Sequence, residues 1–365
     1  MTQGEATVCL NMIVKNESKV IRRCLTSVKP LIDHWVIVDT GSTDDTKEII
    51  LEFMKDTLGE LHQRNWINFA HNRNEALALA KGKGEYILLI DADEILEFDE
   101  GFKLTPLNLD YYDIVTKHSG SEYTRIQLIK DRLNWKWTGV LHEYIGAPEA
   151  LSHAILKGVY DIYGHDGCRS QDPLKFQKDA MVFEEAMKTD PYNSRYQFYL
   201  AQSYKDAHEY KLAITNYKKR IGMGGFDQEV FWSMLQVGLL QELLQKPEEI
   251  IVNGYREAYK YRPTRAEPLY RLTEYYRRSG NYVTGYLTAR EGLQIKLPND
   301  HLFVERWIYD YGMLFEFSIC AYWTDEFLEA KFASELLLTM PELPPEIREY
   351  VEKNLIWIHT KKDFN

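Results

Sequence analysis

The run Glu85-Tyr86-Ile87-Leu88-Leu89-Ile90 is apolar at nearly every position and ends in Asp91-Ala92-Asp93. Apolar residues without alternation belong to a strand buried on both faces, as in a parallel sheet packed between helices. Carboxylates where such a strand leaves the sheet stand at its carboxyl edge, where open α/β sheets bind ligands. With one residue between them, Asp91 and Asp93 can both face a hard divalent cation once the strand bends into a loop. Oxygen ligands suit Mg²⁺ or Mn²⁺ and leave positions for waters and phosphates.

The segments before this run alternate in kind. Val8 to Val14 reads as an apolar strand, and Asn16-Glu17-Ser18 opens a helix with Val20, Ile21, Leu25 and Val28 on its apolar face. Trp35 to Asp39 is a second strand. Gly41 to Thr46 supplies a turn and capping oxygens for a helix with Ile49, Ile50, Phe53 and Met54 inward. A short edge around Leu61 and a helix from about Asn72 to Ala80 follow. Lys81-Gly82-Lys83-Gly84 lacks the spacing of a phosphate loop and reads as a helix end and turn. Such alternation predicts an α/β, mostly parallel sheet with helices on both faces. Residues 113–162 change character, with shorter mixed-sheet strands and Trp135, Trp137 and Tyr144 nearby, and are read as an acceptor-shaping region.

Beyond Gln171 the chain reads as helix throughout. Tyr196, Phe198, Leu200, Ala201 and Tyr204 fall at helical spacing, and a similar set recurs from Pro268 to Tyr282. Leu200 and Leu272 stand two units of about 36 residues apart, close to a tetratricopeptide period. The aromatic residues are read as stacking core. The expected division is therefore residues 1–170 for the α/β domain and 171–365 for the helical array.

The formal net charge of −11 argues against a general nucleic-acid binder, since phosphate neutralisation needs a basic surface. No apolar run approaches the roughly 20 residues that span a bilayer. Met1 to Glu5 shows neither a basic start nor an apolar core. Cys9, Cys24, Cys168 and Cys320 lack Cys-x-x-Cys spacing and read as free thiols of a reducing compartment, so a cytoplasmic protein is expected.

Four segments together resemble the family 2 glycosyltransferases: Cys9 to Glu17, Val36 to Thr46, Arg73-Asn74-Glu75-Ala76, and Ile90 to Glu94. They occur in family order over about residues 7–98. The resemblance implies a GT-A fold, a nucleotide-sugar donor (UDP-sugar favoured), Mn²⁺ or Mg²⁺, and inversion at the anomeric carbon. It implies that Ile13, Val14, Asn16 and Glu17 line the nucleoside pocket and that Asp39 contacts uracil or ribose. Asp91 and Asp93 would hold the cation and through it the diphosphate, and Asp91 and Ala92 would contact the donor. An arginine at a helix start forks readily to a diphosphate or base carbonyl, which suits Arg73.

Gly139-Val140-Leu141-His142-Glu143 resembles the Gly-x-x-His-Glu segment of members that carry a repeat domain. Inverting transfer needs one base near the acceptor. Glu143 is the first candidate and Asp131 the second, with His142 orienting the site. His165 resembles the late histidine that several GT-A enzymes supply to the metal or diphosphate. The acceptor is a glycan, a lipid-linked glycan or a peptide, and the helical array offers a face for a protein partner or self-association. Two alternatives stand beside this reading. One is a sugar-phosphate nucleotidyltransferase, disfavoured because Lys15 to Ser18 is no glycine-rich loop. The other is a tetratricopeptide scaffold whose first domain only binds nucleotide.

Overall fold

A computed structural model describes residues 6–104, 106–118, 121–164 and 166–360. The chain divides into two compact units, Met1–Ala186 and Met187–Asn365.

The first unit is built on one eight-stranded sheet. Its strands are β1 (Val8–Val14), β2 (His34–Asp39), β3 (Leu58–Gln63), β4 (Tyr86–Leu89), β5 (Ile95–Phe98), β6 (Tyr111–His118), β7 (Ser121–Lys130) and β10 (His153–Ile162). A separate hairpin pairs β8 (Lys136–Thr138) with β9 (Tyr144–Gly146). The sheet order is β3-β2-β1-β4-β7-β6-β10-β5. β1 runs parallel to β2 and β4, and β2 parallel to β3. β7 is antiparallel to both β4 and β6, whereas β10 is parallel to β6.

The side chains explain the layers. Val8, Leu10, Met12 and Val14 of β1 point to one face, where α1 (Ile21–Val28) and α2 (Thr46–Phe53) bury Ile21, Leu25, Val28 and Ile50 on them. Cys9 points the other way and joins Val36, Ile87 and Leu89 beneath Leu77 and Ala80 of α3 (Phe69–Ala80). Strands covered on both faces need no polar alternation, which is why these runs are apolar throughout. The one polar exception in β1, Asn11, donates to the Ala76 carbonyl at 2.9 Å and so ties α3 to the sheet.

Two helix starts differ from the sequence pattern. α1 begins at Ile21, because Asn16 takes a left-handed conformation (φ 58°) and the residues after it form a turn. Asparagine tolerates that region better than most residues. α3 begins at Phe69, where the Asn68 side chain accepts from the His71 amide at 2.8 Å.

After α4 (Lys175–Thr189), the second unit is all helix. Antiparallel neighbours pair α5 (Ser194–Asp206) with α6 (Tyr210–Met223), α7 (Asp227–Leu243) with α8 (Glu248–Tyr261), α9 (Glu267–Arg278) with α10 (Tyr282–Gly292), and α11 (Met313–Trp323) with α12 (Phe327–Leu338). α13 (Pro345–His359) packs on α12. Phe198, Ala201, Ala213 and Tyr217 fill one inter-helix core; Tyr255, Tyr276, Tyr286 and Phe317 fill the next. Buried arginines are paired, Arg220 with Glu229 at 3.0 Å and Arg265 with Glu267 at 2.7 Å. Among the described residues no helix is long and apolar enough to cross a membrane.

Candidate functional site

The chain runs from β1 outward through β2 to β3, then returns to place β4 on the other side of β1. That reversal leaves a crevice outside the carboxyl ends of β1 and β4, the usual ligand position in open α/β sheets. β2 ends at the same edge, with Asp39 opposite Val14.

At this edge β4 turns sharply. The Glu94 amide donates to the Asp91 carbonyl at 3.1 Å, and the Asp91 amide donates to Glu94 Oε2 at 3.0 Å. Asp91 and Asp93 are half-buried, whereas Ala92 is buried in the core. Glu94 is also buried and pairs with Arg125 at 2.5 Å. Arg125 in turn bonds Asp161 of β10, which also accepts from Thr116 and Gln127. Burial, reinforced by Asp91, pushes the Glu94 carboxyl up to about 8 despite Arg125.

Arg73 joins two carboxylates. Its Nη2 donates to Asp91 Oδ1 and its Nε to Glu143 Oε1, both at 2.7 Å. The guanidinium lies 4.9 Å above the Trp137 ring, a cation–π distance. Arg73, Asp91, Glu94, Arg125, Trp137 and Glu143 line one cavity of about 300 Å³, a volume at the small end of ligand sites. The two aspartates are split electrostatically. Burial disfavours charge on both, but Arg73 and Arg125 hold the Asp91 carboxyl below its ordinary value. Asp93 is pushed above its own, first by burial and then by Asp91.

The β1 and β2 ends are tied together by polar contacts. Ile13 is half-buried and Val14 buried; the Val14 carbonyl accepts from the Thr40 amide at 2.9 Å. Asn16 accepts from the Thr43 amide at 2.7 Å. Asp39 is buried, and its Oδ1 accepts from the Gly41 and Ser42 amides at 3.0 Å each, so this carboxylate already fixes the turn after β2. Glu17 accepts from the Cys168 amide at 3.1 Å, while burial, with Asp93, Asp44 and Asp91 nearby, raises its carboxyl to about 7.

Gly164 and Gly167 pack against the Asp91–Asp93 turn. A Cβ on Gly164 would overlap the Asp93 carbonyl oxygen, and one on Gly167 would stand 2.5 Å from Asp93 Oδ2. Only glycine allows that approach. On the role that the family resemblance implies for Asp93, Gly167→Ala should displace the Asp93 carboxylate and lower turnover by about 10–100-fold, since small misplacements at a reacting centre carry penalties of that order. Comparing kcat with the melting temperature checks this, and a large loss of stability would assign the effect to folding.

The structure does not bring Asp131 to this cavity. β7 runs antiparallel to β4, so its end, Asp131, lies beside Glu85 at the opposite edge of the sheet. Asp131 Oδ2 accepts from the Gly82 amide at 2.9 Å. At ~3.3 Å per residue, Glu85 and Asp91 are separated by roughly 20 Å. His165 lies outside the described residues. His142 takes a positive φ of 50° within the loop that presents Glu143. Glu94, Arg125 and Asp161 were not singled out from sequence as site residues; only the position of Glu94 beside Asp93 hinted at its part.

The raised Glu17 carboxyl has a stability consequence. A carboxyl that titrates near 7 when folded and near 4.5 when unfolded stabilises the fold most below pH 4.5 and loses that contribution as pH rises through 7. Glu17→Gln should remove this slope, which denaturant titrations at pH 4.5, 6 and 8 would reveal as a flatter stability profile.

Residues 9–118 match the family model described as Glycosyl transferase family 2. The SPbeta prophage-derived glycosyltransferase SunS of Bacillus subtilis (strain 168) is 28% identical over 239 residues, 58% of this chain and 54% of that protein. A TPR repeat-containing protein of Synechococcus elongatus is 41% identical over 92 residues, 25% of this chain and 21% of that one. The solved structure of S. aureus TarS 1–349 in complex with UDP-GlcNAc aligns over 70% of this chain and 90% of its own, at 15% identity and a TM-score of 0.36. The chain spans about half the length of SunS and 21% of the Synechococcus protein. The strand-end carboxylates stand within the matched span, so the first unit holds a family 2 glycosyltransferase domain, and the chain continues into an array of tetratricopeptide-like helix pairs.

Proposed function

We propose that this chain transfers one sugar from a nucleotide-sugar donor, a UDP-sugar in preference, to a glycan, lipid-linked or peptide acceptor, with inversion at the anomeric carbon. The observation that carries the reading is the Arg73–Asp91 ion pair at the crevice between the ends of β1 and β4, with Asp93 two residues on in the same turn.

A divalent cation fits the donor set in part. Among the described residues no three His, Cys, Asp or Glu side chains form a complete metal site. Mg²⁺ and Mn²⁺ beside a diphosphate commonly take only one or two protein carboxylates, the remaining positions going to water and phosphate oxygens. Asp91 and Asp93 supply that pair of oxygen donors, and Asp93, whose charge is disfavoured by burial and by Asp91, gains most from a nearby cation. When bound, the cation would neutralise charge developing on the leaving diphosphate.

The protein's own groups carry the remaining tasks. Val14, Asn16 and Glu17 shape the nucleoside end. Arg73 holds Asp91 and Glu143 in fixed relation, and Glu143 takes the acceptor's proton from the hairpin side of the cavity. Asp131, at the other sheet edge, has no part in this arrangement. The helical repeats offer a surface for the acceptor protein, a partner or a second copy, and a cytoplasmic setting suits the free thiols.

The test is a panel of nucleotide sugars incubated with the purified chain, with and without chelator, followed by NMR of the anomeric product. Chelator-sensitive hydrolysis or transfer from a UDP-sugar, with inverted configuration, is expected. UDP binding by calorimetry without turnover of any donor would leave a binding domain and overturn the enzymatic reading.

A further inference from the structure

Asn74 lies beside Arg73 in α3, and its side chain serves the hairpin rather than the helix. Its Oδ1 accepts from the Trp137 amide and its Nδ2 donates to the Trp137 carbonyl, both at 2.9 Å. One amide side chain thus pairs with both polar backbone groups of Trp137, as a neighbouring strand would. That matters because β8 and β9 hydrogen-bond to each other in a sheet of their own, separate from the eight-stranded one. The same hairpin supplies Trp137, Glu143, Tyr144 and Ile145 to the cavity wall. Asparagine is a poorer helix former than alanine, so helix propensity does not account for this residue in mid-helix.

We infer that Asn74 is the positioning residue for this wall. By fixing Trp137, it sets the ring over which Arg73 lies and the register of the loop that delivers Glu143 to Arg73. Arg73 and Asn74 act as adjacent clamps from one helix, one on the side chain of the loop and one on the backbone of the strand. The catalytic consequence rests on the transferase reading; the hold on the hairpin does not.

The test uses the full chain with Asn74→Ala and Asn74→Asp, read by hydrogen exchange and by kinetics. Asn74→Asp keeps an acceptor for the Trp137 amide but cannot donate to the carbonyl, so it retains part of the clamp if the alanine variant folds poorly. Exchange in the peptide covering residues 136–146 should accelerate at least tenfold in Asn74→Ala and less in Asn74→Asp, with β1 and β4 unchanged. Transfer kcat should fall about tenfold or more while KM for the donor stays within about twofold. In a Glu143→Gln background the further effect of Asn74→Ala on kcat should be small, because residues acting as a unit are non-additive. Unchanged exchange in 136–146 overturns the inference, as does faster exchange with wild-type kcat. A chain that turns over no donor, yet shows the accelerated exchange, refutes the transferase reading and upholds the clamp.

Discussion

Asp93→Ala should abolish detectable transfer, a loss of about 10³-fold or more, while leaving the unfolding transition in place. A bound cation contributes several kcal/mol of transition-state charge stabilisation, and each 1.36 kcal/mol is one decade in rate. The fold should tolerate the change because Asp93 carries little of it. Its carboxyl is pushed up by burial and by Asp91, and Arg23 bonds the Asp93 carbonyl rather than the carboxylate. Truncation relieves that repulsion, so without added cation the melting temperature should hold or rise slightly. The Mn²⁺-dependent rise expected of the unsubstituted chain should disappear, since a ligand stabilises only the state that binds it. Wild-type turnover by Asp93→Ala in chelator-treated buffer would overturn the proposal that this pair holds a cation.

Much of this edge was legible because burial on both faces leaves a plain mark. β1, β2 and β4 are near-continuous apolar runs, and a run that ends in Asp91-Ala92-Asp93 announces where the sheet ends. The tetratricopeptide period was legible for a similar reason: each helix pair repeats one packing problem, solved with Phe198 and Tyr217 in one layer and Tyr255 and Tyr276 in the next.

Strand direction was not legible, and Asp131 illustrates the cost. The run from Thr124 to Ile129 reads equally well as parallel or antiparallel to β4. Its antiparallel pairing reverses the edge at which its last residue emerges, carrying Asp131 away from Asp91. Long-range ion pairs were equally hidden. Arg73 and Glu143 are 70 residues apart, and the Glu94–Arg125–Asp161 group joins a turn to two strands far along the chain. Nothing local marks such partners, because each is satisfied only after the sheet has formed. The sequence pattern opens the first helix at Asn16 to Ser18, but the left-handed backbone of Asn16 delays α1 to Ile21.

Glu143→Gln should slow transfer by about 10²–10⁴-fold while UDP and cation binding persist, the range typical for removal of a general base. The substitution is well matched to the site. Glu143 Oε1 accepts from Arg73 Nε at 2.7 Å, and a glutamine carbonyl can keep that bond. What is lost is the second negative charge on Arg73 and the ability to take a proton. Arg73 then rests on Asp91 alone, so the diphosphate end should be held as before or more firmly, and the KM for donor should not rise. Asp131→Asn is the control: at the far edge of the sheet, bonded to the Gly82 amide, it should leave turnover within about twofold of the unsubstituted enzyme. Steady-state kinetics on the two variants separates the outcomes. Wild-type turnover in Glu143→Gln would assign the Arg73–Glu143 pair a purely structural part, and the base would have to be sought among the other groups lining the cavity.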